Sequence, residues 1–259
     1  MKGDSFVEGF NSSLMVFLGK TPTLVDQAVG EVFDPGDTRP LNIVNSDNRI
    51  LANAVRLRIE PVFNEWVSST QRGFLPGRSM LANVIDIDHA MMHDALMHHH
   101  AMAIFFDFKA AFPSVAHRFL LEALDSLQLP PWVRRFVTLL YRDNNCELVV
   151  GGAKHAGFAI HSGIRQGCPL SPLLFAVAAD VLLRRLRRLL PDAVLRAYAD
   201  DLAAVVPGGL DSAPMLAKIF QEFAEISCLR LNLPKTVIVP LHLQDHRAVA
   251  QALHAVTPS

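Results

Sequence analysis

The hydrophobic positions of this chain follow two periods. Short apolar runs of strand length occur at Leu14–Leu18, Leu41–Val44, Ala101–Phe106, Ala193–Leu195 and Leu202–Val206. Between them, apolar residues recur at helical spacing. Val84, Ile87 and Met91 share one face of a helix predicted over 79–97, and Leu120, Leu124 and Leu127 do so over 116–127. Val133, Phe136, Val137 and Leu140 follow the Pro130-Pro131 break, and Leu216, Ile219, Phe220 and Phe223 predict a helix after Ser212. A helix over 47–60 is expected to stop before Pro61. Ser171-Pro172 starts another that runs to about Leu189, because serine caps and proline suits the first helical position. Glu147–Val150 and Gly157–Ile160 read as strands around a Gly151-Gly152 turn, and Asp34-Pro35-Gly36-Asp37 reads as loop. The mixture of strands and helices predicts an α+β fold.

Two places in this pattern carry charge where a fold resists it. Tyr198-Ala199-Asp200-Asp201 joins the two apolar runs on either side of it, so a hairpin would set both carboxylates at its tip. Asp107 ends the run from Ala101 to Phe106. Adjacent aspartates repel and lose solvation there, and a divalent cation with a preference for hard oxygen ligands offsets both costs. If the strand ending at Asp107 lies beside that hairpin, three carboxylates converge. Such a set can hold two Mg²⁺ about 3.5–4 Å apart for in-line phosphoryl transfer.

The order of motifs resembles a known family. Residues 103–112, Ala-Ile-Phe-Phe-Asp-Phe-Lys-Ala-Ala-Phe, resemble the first palm motif of reverse transcriptases, especially those of non-LTR retrotransposons and group II introns. Residues 162–175, from Ser162 through Arg165-Gln166-Gly167-Cys168-Pro169 to Phe175, resemble the second motif, and Ala197–Asp201 the third. Leu229–Thr236 resembles the fourth, while Arg39-Pro40-Leu41 and Gln71–Ser79 are similar to the fingers motifs. Together they cover about residues 14–240.

The resemblance implies a right-hand polymerase: an antiparallel palm sheet backed by helices, with fingers from two segments. On that layout residues 1–100 and 128–160 supply the fingers, and 101–127 and 161–259 the palm. No thumb, primer grip or endonuclease domain is recognised after the fourth motif, so the chain is expected to be a partial frame or excised core. Asp107, Asp200 and Asp201 are the implied Mg²⁺ ligands (Mn²⁺ is the alternative ion), with Asp201 the least direct. Lys235 is the implied general acid for the departing pyrophosphate. Phe112 would exclude a ribose 2′-hydroxyl, and Gln166 and Gly167 would touch the template or nascent pair. Lys20 and Arg39 would reach the triphosphate, and Arg78 the template or a phosphate. Pro113 departs from the family pattern, where aspartate often follows Ala-Phe, and Gly19 stands where proline usually precedes the lysine. The implied partners are an RNA template, a DNA primer or nicked target DNA, and dNTPs.

Composition changes this picture little. With 51% hydrophobic residues among 259 the chain can bury a sizeable core. A net charge of -1 is not the basic footprint usual for a nucleic-acid binder, so any such grip is local or lies elsewhere. Cys146, Cys168 and Cys228 have neither zinc spacing nor a disulfide framework, which fits an intracellular setting. No signal peptide is read in Met1–Lys20, and Leu170–Leu183 is too short and charged for a membrane span. His93 and His98–His100 read as a polar loop, and Arg184, Arg185, Arg187 and Arg188 as a solvated helix face. Three rivals stay open: an inactive retroelement remnant, an RNA-dependent RNA polymerase, and a nucleotide cyclase. Ala199 and Phe112 speak against the second, whose members usually place glycine in the turn. The Gln166-Gly167 loop and fingers motifs speak against the third.

Overall fold

A computed structural model describes residues 5–242. In chain order the elements begin with β1 (Ser13–Gly19), a small hairpin of β2 (Leu24–Asp26) and β3 (Gly30–Val32), and β4 (Thr38–Val44). Helices α1 (Ser46–Trp66) and α2 (Met80–Met97) lead to β5 (Met102–Phe106). Three helices follow: α3 (Ala111–Ser114), α4 (His117–Asp125) and α5 (Pro131–Tyr141). Then come β6 (Cys146–Val150), β7 (Ala153–His155), α6 (Ser171–Leu189), β8 (Val194–Tyr198), β9 (Asp201–Val206), α7 (Gly209–Ser227) and β10 (Val237–Pro240).

Apart from the β2–β3 hairpin, the strands form two four-stranded sheets. One has the order β4-β1-β6-β7, with β1 and β6 parallel and the other neighbours antiparallel. The other, β10-β5-β9-β8, is antiparallel throughout. This second sheet is covered on both faces. Ile104, Phe106, Leu195, Ala197, Leu202 and Ala204 turn into the main core. Ala103 and Val205 meet Ile87 and Ala90 of α2 on the opposite side. Helix α6 lies deep in the main core, where residues 173–178 are each at most 1% exposed. Such all-round burial marks a helix packed on every side, and α6 contacts α1, α4 and α7.

Several boundaries differ from expectation. Helix α1 runs through Pro61 to Trp66. Ile59, Phe63 and Val67 are buried at successive four-residue steps on either side of the proline, so packing outweighs the lost hydrogen bond. The region before Asp34 contains the β2–β3 hairpin, a pairing its mixed pattern does not announce. Pairing after Gly151-Gly152 starts at once, in β7, and not at Gly157. Residues 157–160 instead cross the start of β6, where Cys146 N–H donates to the Phe158 carbonyl at 3.0 Å. Ser171 is the first residue of α6 and makes no capping bond, and α7 starts at Gly209 with Pro214 inside it.

Candidate active site

The carboxylates are placed by strand register. In β5 and β9 Phe106 pairs with Leu202, so Asp107 and Asp201 stand one step further along adjacent strands. Strand alternation turns Asp201 to the same side as Ala203 and Val205, away from the main core. Asp107 and Asp201 line one cavity of about 500 Å³ with Tyr198, Lys235 and residues of α2. Tyr198 pairs with Asp201, leaving Ala199 and Asp200 as a two-residue turn with Ala199 at φ 59°. Asp200 lines a separate crevice of about 20 Å³ beside Phe108 and Phe175. The structure thus sets Asp201 with Asp107, and Asp200 at the turn next to them.

Electrostatics ties the three together. Burial pushes the Asp201 carboxyl above its usual range, and the charges of Asp200 and then Asp107 push it further. Asp107 is steadied from the last motif. Asn232 donates Nδ2–H to Asp107 Oδ2 at 2.8 Å, and its backbone N–H donates to the Asp107 carbonyl at 2.8 Å. Lys235 follows at the end of a short 3-10 turn, Leu233–Lys235. Among the described residues no three His, Cys, Asp or Glu side chains close on one point as an assembled metal centre. The donor chemistry still fits a hard divalent cation. Mutually repelling carboxylate oxygens, one of them held above its normal pKa, are what such an ion would relieve.

Phe112 stacks on Phe175 with centroids 4.3 Å apart and planes 11° apart. Phe74 meets it edge-on at 6.0 Å and lies 6.5 Å from Tyr198, so aromatic rings connect the two motifs. Gln166 lines a cleft of about 580 Å³ against the first sheet, with Phe17, Asn42 and Pro113. Gly167, at φ 103°, passes so close to β4 that a Cβ would lie 2.4 Å from the Asn42 carbonyl oxygen. Neighbouring Arg165 is 2% exposed and donates to the Leu140 carbonyl, anchoring the loop to α5.

The basic residues divide. Arg39 pairs with Leu18 in the β1–β4 hairpin, and Lys20 follows β1 with its N–H on the Asp37 carbonyl. Both are exposed, at one end of the hairpin, and no ion pair among the described residues takes either charge. Arg78 is different. Its guanidinium donates to the Asn64 side chain and to the carbonyls of Asn64, Val67, Ser68 and Gln71, at 2.5–3.2 Å. Those bonds hold the loop after α1 in shape and leave the expected template or phosphate contact without donors. Sequence reasoning gave no role to Asn232, Phe74 or Gln71. The signal available was their place inside recognised motifs.

Comparison with known proteins now decides the family. The reverse transcriptase (RNA-dependent DNA polymerase) family matches residues 26–247. The chain belongs to the reverse transcriptase family. A transposon TX1 protein of Xenopus laevis is 31% identical over 209 residues, covering 76% of this chain and 16% of that protein. A polyprotein of the type-1 retrotransposable element R2 from Nasonia vitripennis is 33% identical over 66% of this chain and 16% of its own length. The chain therefore spans about a sixth of these relatives. In shape it is similar to telomerase from Candida tropicalis, solved with a telomeric RNA fragment. The TM-score is 0.67 at 13% identity, over 91% of this chain and 42% of that one. That likeness shows the fold, an α+β arrangement consistent with the fingers and palm of a right-hand polymerase. No helix among the described residues is long and apolar enough to cross a membrane.

Proposed function

We propose that this reverse transcriptase domain is the RNA-directed DNA polymerase core of a non-LTR retroelement. It adds deoxynucleotides to a primer 3′-hydroxyl on an RNA template, the primer being DNA or a nicked DNA target. The observation that carries the reading is the register that sets Asp107 beside Asp201, with Asp200 at the adjoining turn, on a sheet packed between the main core and α2.

Asp107, Asp200 and Asp201 would hold Mg²⁺, with Mn²⁺ as a substitute. The cation lowers the pKa of the attacking hydroxyl and offsets charge on the phosphates when bound. The remaining work belongs to the chain. Asn232 holds the Asp107 carboxylate in one orientation. Phe112, kept in place by Phe175 and Phe74, closes the space a ribose 2′-hydroxyl would need. Gln166 bounds the cleft where the template and nascent pair would lie, and Gly167 follows it in the same loop. Lys20 and Arg39 present unspent charge for the triphosphate, and Lys235 gives a proton to the pyrophosphate as it leaves. Residues 1–100 and 128–160 act as fingers and 101–127 and 161–259 as palm. Arg78 has no substrate role in this scheme.

Primer extension on poly-rA with oligo-dT and Mg²⁺ tests it. We expect extension with dTTP, little with UTP, and none in Asp200→Ala. Preference for UTP would make the chain an RNA polymerase. No extension by folded protein would favour an inactive remnant.

A further inference from the structure

The side chain of Gln71 has no role in the scheme above. Gln71 is 0% exposed. Its Nε2–H donates to the Ala199 carbonyl at 2.9 Å, and its Oε1 accepts from the Ala199 N–H at 2.9 Å. One carboxamide therefore satisfies both backbone groups of the residue preceding Asp200, across 128 positions of sequence. Oε1 also accepts from Gly73 N–H at 2.8 Å.

The backbone on either side continues the pairing. Ala197 N–H donates to the Thr70 carbonyl at 2.9 Å, and Arg72 N–H donates to the Ala197 carbonyl at 2.8 Å. Residues 70–72 thus close the free edge of β8, with Gln71 opposite Ala197. Gly73 permits the approach. A Cβ there would stand 2.1 Å from the Ala199 nitrogen.

The seat is itself held rigidly. Arg78 binds the Gln71 carbonyl at 2.6 Å along with three carbonyls further back. The fully buried Asp180 of α6 accepts from Ser68 N–H at 3.1 Å and from the Ser68 hydroxyl. Asp86 bridges Arg72 at 2.7 Å and Arg196 of β8 at 2.6 Å. Ala199 adopts a left-handed backbone that non-glycine residues avoid, and such a conformation persists only where its surroundings over-determine it.

We infer that Gln71 is a positioning residue for the polymerase reaction, using its carboxamide to lock the backbone of Ala199 and so aim Asp200. The inference rests on the polymerase reading for its consequence, and on the contacts above for its geometry. Because three buried backbone groups, two of them on Ala199, lose their partners together, a side chain of similar length without polar atoms should release the turn and not merely weaken the fold.

The test is amide exchange by NMR on the full chain, with extension kinetics beside it. In the wild type the Ala199 amide, though in a turn, should exchange as slowly as those of β9. In Gln71→Met it should exchange on the order of tenfold faster or more, while Met102–Phe106 keep their protection. In the same variant kcat should fall on the order of tenfold or more, with KM for dTTP changed by less than about threefold. An unprotected Ala199 amide in the wild type would overturn the inference, and that result needs no variant to fold. So would Gln71→Met with an unaltered turn, with wild-type kcat, or with protection lost uniformly. If the wild type extends no primer while Gln71→Met still frees Ala199, the polymerase reading falls and the locking of the turn stands.

Discussion

The two sheets of this molecule are built to different standards of constraint. In the second sheet, β5 and β9 pack on the main core with one face and against α2 with the other, and the carboxylates leave them at positions dictated by register. The edge of β8 is closed by residues 70–72, and Asp107 is held by Asn232. In the first sheet, β1 grows more exposed toward Gly19, and Phe17 and Leu18 are 40% and 52% exposed. Lys20 and Arg39 sit at that open end. Groups that must meet a developing charge at a defined angle need a preorganised frame. Groups that capture a mobile triphosphate can sit on a looser one, since sparse burial goes with low local stability.

The sharpest break in this comparison is Asp107→Asn. It keeps the side-chain shape but removes one carboxylate charge, and maximal extension rate should fall on the order of 10³-fold or more, with the thermal midpoint little changed. Retained rate would mean that the palm does not depend on its rigid carboxylate. Gly73→Ala comes next, because the added methyl would strike the Ala199 nitrogen. A urea melt should show a loss of about 1–3 kcal/mol, with extension reduced as well. The counterpart in the first sheet is Arg39→Ala. Removing an exposed, unpaired cation should raise KM for dTTP about tenfold and leave the melt unchanged.

The smallest effect concerns pH. The Asp201 carboxyl is raised in the folded state by burial and by its two acidic neighbours. Its neutral form therefore favours folding below its unfolded value of 3.8, and that contribution is lost as pH rises through the folded value. Asp201→Asn should melt slightly higher than wild type at pH 7 without added cation, and the difference should vanish below about pH 3.8. Thermal melts across that range would show it, and a variant less stable at pH 7 would contradict the assignment.

What the sequence disclosed depended on how local the cause was. Strand β5 and the β8–β9 hairpin were legible because an apolar run and a carboxylate pair are local signals. The passage of α1 through Pro61 was not, since Phe63 and Val67 hold it by tertiary packing. Arg78 was misread for a related reason. An arginine in a loop looks like a phosphate ligand until the carbonyls of Asn64, Val67, Ser68 and Gln71 are seen folded around it. Gln71 stood within a recognised motif, yet nothing along the chain connects it to Ala199. Only the closure of the β8 edge does.

The most direct measurement is single-nucleotide extension of a DNA primer on an RNA template across a range of dTTP concentrations, with wild type, Asp107→Asn and Arg39→Ala in parallel. The account predicts that Asp107→Asn loses maximal rate at every concentration, while Arg39→Ala reaches the wild-type maximum at higher dTTP. Equal maximal rates in wild type and Asp107→Asn, or no extension by the folded wild type, would contradict it.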